Sequence, residues 1–209
     1  MTSQNDKDYR PVLVFDVGGV LLDWNPRYLY RKFFNGDHES MEQFLAEINF
    51  NEWNLRQDAG RPFSEAVASL TAQHPHRAEL IEAYHSRWEE TIGGVIEGSV
   101  GILANLRRIG YSLYALSNFS IEKFQLVRET YDFFEWFDDI FLSAQVQLVK
   151  PDPRIFRVFL ERIQRKPAEC LLIDDSAPNI ETARQLGFDT IHFRSSGQLN
   201  AELMQRGIL

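Results

Sequence analysis

Several features that define common classes of protein are missing from the sequence. A single cysteine, Cys170, stands among 209 residues, so neither an intrachain disulfide framework nor a zinc site built from cysteines can form. No apolar run is long enough for a signal sequence or a membrane span, and the first ten residues are mainly polar, so we expect a cytoplasmic chain with no membrane partner. Basic residues are outnumbered by acidic ones, 22 to 30, which argues against nucleic acid as a partner.

Hydrophobic residues make up 44% of the chain, enough to bury one good core. Four short apolar runs share one design, in which β-branched or aromatic residues lead to a polar residue. The runs are VLVFD (12–16), YSLYALSN (111–118), DIFLS (139–143) and CLLIDD (170–175). Continuous apolar character over so few residues is typical of strands in a parallel sheet that is covered on both faces.

Helical patterns alternate with the later apolar runs. One has apolar side chains three residues apart before Gly110, and another opens with Asp152 and Pro153, a favoured pair at a helix start. The predicted helices cover 99–109, 120–131, 153–163, 178–186 and about 199–206, and a further strand covers 190–193. This alternation predicts an α/β fold with a doubly wound, mostly parallel sheet, a Rossmann-like core.

Residues 25–92 interrupt the alternation, because they carry helical patterns and no convincing strand. An all-helical insertion after the first strand indicates a second, smaller domain. We therefore predict a Rossmann-like core made of residues 1–24 and 93–209 and a helical domain, termed the cap below, made of residues 25–92. The segment GGVIEG (93–98) is predicted to be the hinge through which the chain returns to the core.

Polar side chains end three of the predicted strands. They are Asp16, Ser117, Asn118, Asp174 and Asp175. In an open α/β sheet, ligands bind outside the carboxyl ends of the strands, so we expect these side chains to meet at one edge. Gly18 and Gly19 follow the first strand and leave the main chain open to a ligand beside Asp16.

The carboxylates at this edge require a cation. Three of them within about 4 Å would repel by ~4 kcal/mol per pair at an effective dielectric of about 20. They would take up protons unless a positive ion neutralised them. Mg²⁺ binds through carboxylates together with water and substrate phosphate, which the hydroxyl of Ser117, the helix start after it and the ammonium group of Lys150 can hold. The residues therefore predict a magnesium site that receives a small phosphorylated molecule.

At this point the sequence resembles the haloacid dehalogenase-like hydrolases, in the subgroup whose cap is inserted after the first strand. The four stretches that resemble the family motifs, in family order, are FDVGGVLLD (15–23), LSN (116–118), KPDPRIF (150–156) and LIDDSAPNIETARQLG (172–187). The resemblance covers nearly the whole chain. It implies a Mg²⁺-dependent phosphatase of small metabolites, for example of a sugar phosphate, that forms an aspartyl-phosphate.

The resemblance also implies roles for individual residues. Asp16 is the expected nucleophile, and Lys150 assists it. The groups expected around the phosphoryl oxygens are Ser117, Asn118, Lys150 and the main chain of Gly18 and Gly19. The expected metal ligands are Asp16, the backbone carbonyl of Gly18, Asp174 and Asp175. One of the two later aspartates would bind the ion directly and the other through water or by orienting the site.

One position departs from the family pattern. Most phosphatases of the family carry an aspartate two residues after the nucleophile as general acid, and this chain has Gly18 there. General acid catalysis contributes roughly 10²–10⁴-fold, so the glycine favours leaving groups that need little help, or recruits a water or a cap residue.

Two other functions stay open on the sequence. A true haloacid dehalogenase would use the same aspartate to attack carbon without a metal, although such enzymes typically lack the paired acids of the fourth motif. A binding protein that keeps the fold without the chemistry is the second alternative, because fold alone does not fix function. Trp24, Trp53, Trp88, Arg56 and Arg61 are candidates for a pocket under the cap, but helical packing explains them equally well.

Overall fold

A computed structural model describes residues 10–209 of the chain. The polar N-terminal segment, which the sequence predicts not to be a signal sequence, lies almost entirely outside the described residues. The described part contains seven strands: β1 (Val12–Phe15), β2 (Leu22–Trp24), β3 (Ile92–Val95), β4 (Leu113–Ser117), β5 (Asp139–Leu142), β6 (Cys170–Asp174) and β7 (Asp189–His192). Five of them form a parallel sheet in the order β5-β4-β1-β6-β7. The predicted doubly wound parallel sheet is confirmed.

The central strand β1 is buried along its whole length, as its continuous apolar character predicts. Leu13 pairs with Leu113 of β4 on one side and with Leu171 of β6 on the other. Because all three strands run in the same direction, their carboxyl ends reach the same edge of the sheet.

Some helices cover the sheet, and others, which follow β2 and precede β3 in the sequence, form a separate layer. That layer, which we call the α1–α5 layer, comprises α1 (Arg27–Tyr30), α2 (His38–Glu47), α3 (Phe50–Asp58), α4 (Phe63–Gln73) and α5 (Ala78–Ser86). The remaining helices are α6 (Glu97–Arg108), α7 (Ile121–Thr130), α8 (Ser143–Val146), α9 (Pro153–Ile163), α10 (Ala177–Gln185) and α11 (Ser196–Gln205). Each helix and strand of the predicted alternation is present within a few residues of its expected bounds. The domain division at residues 25 and 92 stays a prediction.

The segment 93–98, predicted as the return hinge, lies mostly in regular structure. Residues 92–95 are strand β3, which pairs antiparallel with β2, and α6 begins at Glu97. The two chain crossings that lead into and out of the α1–α5 layer lie side by side, so their backbone polar groups are paired with each other. A Cβ on Gly93 would lie 2.8 Å from the Tyr28 ring, so a glycine allows this close approach.

The α1–α5 layer has an aromatic interior. Tyr30 packs edge-on against Phe44 with ring centroids 5.0 Å apart, and Phe50 packs edge-on against Tyr84 at 4.9 Å. This interior is continuous with the core on one face of the sheet. Across residues 10–209, every helix is too short or too polar to cross a lipid bilayer.

Candidate active site

The carboxyl ends of β1, β4 and β6 bring three predicted site residues together. Asp16 follows β1, Ser117 ends β4 and Asp174 ends β6. The hydroxyl of Ser117 donates a hydrogen bond of 2.7 Å to Asp16 Oδ1, which also accepts the backbone N–H of Val17 at 2.7 Å. Both bonds orient the Asp16 carboxylate at the end of the central strand.

Lys150 is buried at this edge, and its ammonium group contacts three oxygen atoms. Its Nζ lies 2.9 Å from Asp16 Oδ2 and 2.6 Å from Asp174 Oδ2, and it donates to the carbonyl of Leu116 at 2.8 Å. The side chains of Lys150 and Asp174 have no exposed surface. Since breaking a buried ion pair typically costs roughly 3–5 kcal/mol, Lys150 holds the two carboxylates in place.

Asp174 is further fixed by residues that follow it in the chain. Asn179 Nδ2 lies 3.0 Å from both carboxylate oxygens, and the backbone N–H of Ser176 donates to Oδ1 at 2.8 Å. Together with Lys150, these donors occupy both oxygens of Asp174. Asp174 is therefore well placed to orient its neighbours.

Asp175 follows β6 and approaches the glycines after β1. A Cβ atom on Gly19 would lie 2.7 Å from Asp175 Cγ, closer than real Cβ contacts come, and Gly19 has a φ of +73°. A Cβ on Gly18, in contrast, would meet no atom within 4 Å. The approach of Asp175 therefore requires a glycine at position 19, whereas position 18 is open.

The side chain of Asn118 binds the backbone of Lys150. Its Nδ2 donates to the Lys150 carbonyl at 2.9 Å, and its Oδ1 accepts the Lys150 N–H at 2.8 Å. With both ends of the amide engaged in this way, Asn118 positions Lys150, and only its backbone remains free to meet a phosphoryl group.

The charges at this edge are not balanced. Burial raises the pKa of Asp16 to about 7, Lys150 opposes this rise, and the charges of Asp174 and Asp175 add to it. Burial and the charge of Asp174 also raise the pKa of Asp175. Burial acts to lower the pKa of Lys150, but Asp16 and Asp174 outweigh it and the pKa is raised. Lys150 contacts two of the three carboxylates, so a further cation would favour the ionised forms of the group.

The arrangement of oxygen atoms fits a divalent cation. Asp16, Asp174 and Asp175 each offer one carboxylate oxygen, and these three atoms lie within 4.8 Å of one another. Gly18 lines the adjoining cavity, and none of residues 10–209 donates a hydrogen bond to its carbonyl oxygen. A hard ion such as Mg²⁺ prefers carboxylate and carbonyl oxygens of this kind.

A cavity of about 350 Å³ lies over Asp16. Its polar floor is formed by Asp16, Gly18, Gly19, Ser117, Asn118 and Asp175. Most of its wall is apolar, and the apolar and aromatic residues are Leu22, Trp24, Phe63, Tyr84, Trp88, Ile92 and Phe119. The cavity is therefore built jointly by the sheet edge and the α1–α5 layer.

The pocket candidates near the predicted cap divide into two groups. Trp24 and Trp88 line the cavity. Trp53 is buried in the α1–α5 layer and donates from Nε1 to the carbonyl of Ala66. Arg56 forms an exposed ion pair with Glu52, and Arg61 binds the side chain of Gln57. For these last three residues the structure shows packing and surface pairing.

Asp58, the last residue of α3, also lines the cavity, and the strand-end pattern does not predict it. Burial raises its pKa to about 7, the backbone amide of Ser120 acts against this rise, and the charge of Asp16 adds to it. No local pattern in the sequence separates Asp58 from the other acidic residues of this region. It reaches the cavity only because α3 packs against the sheet edge.

Comparisons with known proteins agree on one protein family. A model of the haloacid dehalogenase-like hydrolases matches residues 11–187. The chain is 26% identical over 194 residues to a sesquiterpene phosphatase of Aspergillus oryzae, covering 92% of this chain and 94% of the relative. It is 23% identical over 201 residues to D-ribitol-5-phosphate phosphatase of Bacteroides thetaiotaomicron, covering 91% and 95%. A (S)-2-haloacid dehalogenase of a Pseudomonas strain is 26% identical over 192 residues, covering 85% and 82%.

Solved structures share the fold. A family enzyme from Bacteroides thetaiotaomicron, crystallised with magnesium and inorganic phosphate, superposes with a TM-score of 0.69 at 24% identity, covering 89% of this chain and 95% of that one. The architecture described above is therefore that of known enzymes of this family.

Proposed function

This chain belongs to the haloacid dehalogenase-like hydrolases, and we propose that it is a Mg²⁺-dependent phosphatase that cleaves a small phosphorylated metabolite through an aspartyl-phosphate. One observation carries this proposal. Asp16, Asp174 and Asp175 have carboxylate oxygens within 4.8 Å of one another, and the buried Lys150 contacts the first two of them. Attack on carbon with release of halide needs no divalent cation, so such a reaction would leave this surplus of negative charge without a use.

In the proposed reaction, Asp16 attacks phosphorus in line with the leaving oxygen. The hydroxyl of Ser117 lies 2.7 Å from Asp16, and the ammonium group of Lys150 lies 2.9 Å from it. Both groups would therefore also donate hydrogen bonds to the oxygens of a phosphoryl group bound at Asp16. The backbone N–H groups of Gly18 and Asn118 complete this cradle, whereas the N–H of Gly19 already donates to the carbonyl of Leu22 at 2.9 Å. These groups stabilise the negative charge that spreads over the phosphoryl oxygens in the transition state.

Four residues are assigned to the metal. Asp16, the Gly18 carbonyl and Asp175 would bind Mg²⁺ directly, because they line the cavity. Asp174 is fully buried and already holds Lys150, so we assign it to orienting the site. When bound, Mg²⁺ would neutralise the carboxylates and polarise the phosphoryl group.

The cavity also constrains the organic part of the substrate. Its wall is mostly aromatic and aliphatic, which favours a leaving group with an apolar face. Among the relatives, one is named a sesquiterpene phosphatase and another a D-ribitol-5-phosphate phosphatase. We propose that the α1–α5 layer acts as the cap that selects the substrate. An apolar alkyl or prenyl monophosphate fits the wall better than a densely hydroxylated sugar phosphate.

Hydrolysis of 4-nitrophenyl phosphate with and without Mg²⁺ tests the proposal. We expect turnover that requires the metal and that Asp16→Asn lowers by at least ~10³-fold, because the nucleophile is lost. Asp132→Asn, the same change at an exposed aspartate, is the matched control and is expected to keep full activity.

A second arm addresses the alternative chemistry. The wild type is incubated with 2-chloropropionate in the presence of a chelator, and released chloride is measured. Chloride release together with no phosphate release from any ester would overturn the phosphatase and favour the dehalogenase. A panel of phosphate esters then compares prenyl, alkyl and sugar monophosphates by kcat/KM.

A further inference from the structure

The proposed reaction needs an acid that position 18 does not supply. When the bond between phosphorus and the leaving oxygen breaks, that oxygen receives the electron pair and needs a proton unless the alcohol is acidic. Gly18 has no side chain, although the space beside it is open. In the described chain, the carboxyl groups that line the cavity are those of Asp16, Asp58 and Asp175. The nucleophile and the metal site account for Asp16 and Asp175, which leaves Asp58 among the carboxyl groups. Lys123 also lines the cavity, but its ammonium group is held by the carbonyl of His85 at 2.8 Å and lies 3.1 Å from the ring nitrogen of the same residue.

Hydrogen bonds orient the carboxyl group of Asp58 within the α1–α5 layer. Asn54 Nδ2 donates to Asp58 Oδ2 at 3.0 Å, and Asn54 Oδ1 accepts the hydroxyl of Tyr84 at 2.7 Å. In this arrangement the NH2 group of the amide faces Asp58 and the amide oxygen faces the tyrosine hydroxyl. Asp58 therefore has one oxygen held by Asn54.

The backbone of Asp58 is tied directly to the sheet edge that carries the site. The hydroxyl of Ser143 donates to the Asp58 carbonyl at 2.5 Å and accepts the backbone N–H of Phe119 at 2.9 Å. Gly60, with a φ of +100°, approaches the carbonyl of Ala144 so closely that a Cβ would lie 3.1 Å from it. The position of Asp58 relative to Ser117 and Asn118 is thus set by the core, not only by packing within the helical layer.

The charge state of Asp58 suits proton transfer. Within residues 10–209 the structure shows no lysine, arginine or histidine in an ion pair with it, so no fixed positive charge keeps it ionised. Burial raises its pKa to about 7. Both its protonated and its ionised forms are therefore populated near neutral pH, which a group acting first as acid and then as base requires.

We propose that Asp58 is the general acid and base of this enzyme, an inference that rests on the proposed phosphatase function. In the first step Asp16 attacks phosphorus, the bond to the leaving oxygen breaks, and the proton of Asp58 moves to that oxygen. In the second step Asp58 takes a proton from a water as the water oxygen attacks phosphorus. The bond to Asp16 then breaks with its electron pair returning to the carboxylate, so that alcohol and phosphate are the products.

The test compares two esters in Asp58→Asn. The change keeps the size of the side chain and an oxygen for Asn54, but removes the proton. We expect kcat/KM for an alkyl ester such as cyclohexyl phosphate to fall by ~10²–10³-fold, and for 4-nitrophenyl phosphate by less than about 5-fold, because nitrophenolate leaves without a proton. kcat/KM reports the steps up to release of the alcohol, so slower hydrolysis of the aspartyl-phosphate does not enter the comparison.

Glu122→Gln is the matched control. Glu122 is another carboxylate at the contact between the helical layer and the core, where it accepts the backbone N–H of Phe63 at 3.1 Å. We expect this variant to change both esters alike and by no more than about 2-fold. An equal loss on both esters in Asp58→Asn, or no loss on the alkyl ester, would overturn the role of Asp58. A wild type without Mg²⁺-dependent hydrolysis of either ester would overturn the proposed function itself.

Discussion

At the scale of single residues, the site depends on where a side chain is absent as much as on where one is present. Gly19 combines a positive φ with the contact of Asp175, so a Cβ at this position must displace the carboxylate. Gly18, one residue earlier, is open, and its carbonyl accepts no hydrogen bond from residues 10–209. Of these two glycines, Gly19 is required by the close approach of Asp175, whereas Gly18 contributes a backbone carbonyl at a position where a side chain would have room.

Gly19→Ala is expected to damage the metal site. An alanine at this φ costs about 1–2 kcal/mol and pushes the Asp175 carboxylate away from Asp16. We expect at least ~10-fold weaker Mg²⁺ binding, since altered carboxylate positions reduce metal affinity by that order. Isothermal titration with Mg²⁺ measures the affinity, and thermal unfolding measures the stability.

Gly101→Ala is the matched control for that change. Gly101 lies within α6, where a Cβ would meet open space. Alanine there is expected to stabilise the protein by about 0.5–1 kcal/mol through helix propensity and to leave Mg²⁺ binding unchanged. Equal Mg²⁺ affinity in the two variants would contradict the steric role of Gly19.

At the scale of elements, the site is held by segments that bind one another through their backbones. The segment after β4 carries Asn118, whose amide brackets the backbone of Lys150 in the segment before α9. Ser143, at the start of α8, joins the Asp58 end of α3 to Phe119. These cross-links place side chains from distant parts of the chain around one cavity.

Asn118→Ala is expected to loosen Lys150 without removing it. Two hydrogen bonds are lost, each with a net value of about 1 kcal/mol, so the free energy of unfolding should fall by roughly 2 kcal/mol. Because Lys150 Nζ would no longer be fixed against Asp16, kcat should fall by ~10–100-fold. Urea unfolding and steady-state kinetics measure the two effects.

Asn200→Ala controls for the loss of an amide as such. Asn200 is exposed on α11, far in sequence from the site, and its removal should change stability by less than about 0.5 kcal/mol. If Asn118→Ala lowered the free energy of unfolding and kcat no more than Asn200→Ala, the hydrogen bonds between Asn118 and the Lys150 backbone would not contribute to stability or catalysis.

At the scale of the whole molecule, the buried acids couple stability to pH. Burial raises the pKa of both Asp16 and Asp58 to about 7, whereas the same groups in the unfolded chain titrate near 4. Between these values the folded protein binds more protons than the unfolded one. Stability must therefore fall as pH rises through this range and level off above about 7.

The metal-free protein is accordingly expected to be less stable at pH 7.5 than at pH 5. Asp58→Asn removes one of the two groups, so its loss of stability over the same range should be smaller by on the order of 1–3 kcal/mol. Saturating Mg²⁺ should reduce the wild-type loss, because a bound dication favours the ionised form of Asp16. Urea unfolding at the two pH values, with and without Mg²⁺, measures this. A wild type that grew more stable toward pH 7.5 without metal would contradict the raised pKa values.

Local sequence patterns were sufficient to predict the sheet, the helices around it and the strand-end residues of the site. Apolar runs and helical periodicity act over a few neighbouring residues, and parallel strands necessarily bring their carboxyl ends to one edge. This is why the amino-acid pattern alone places Asp16, Ser117 and Asp174 together. The ribbon of β2 and β3 was missed because its strands are only three and four residues long and one contains Gly93 and Gly94.

Tertiary packing determines which residues from outside the sheet line the cavity. Asp58 looks like any other acid at the end of a polar helix until α3 docks on the core, and Asn118 binds a backbone 32 residues away. Trp88 lines the cavity, whereas Trp53 packs inside the helical layer. Neighbouring residues fix where a helix forms and which stripe is apolar, but the residue that reaches a distant site depends on how whole helices pack, which no short-range pattern encodes.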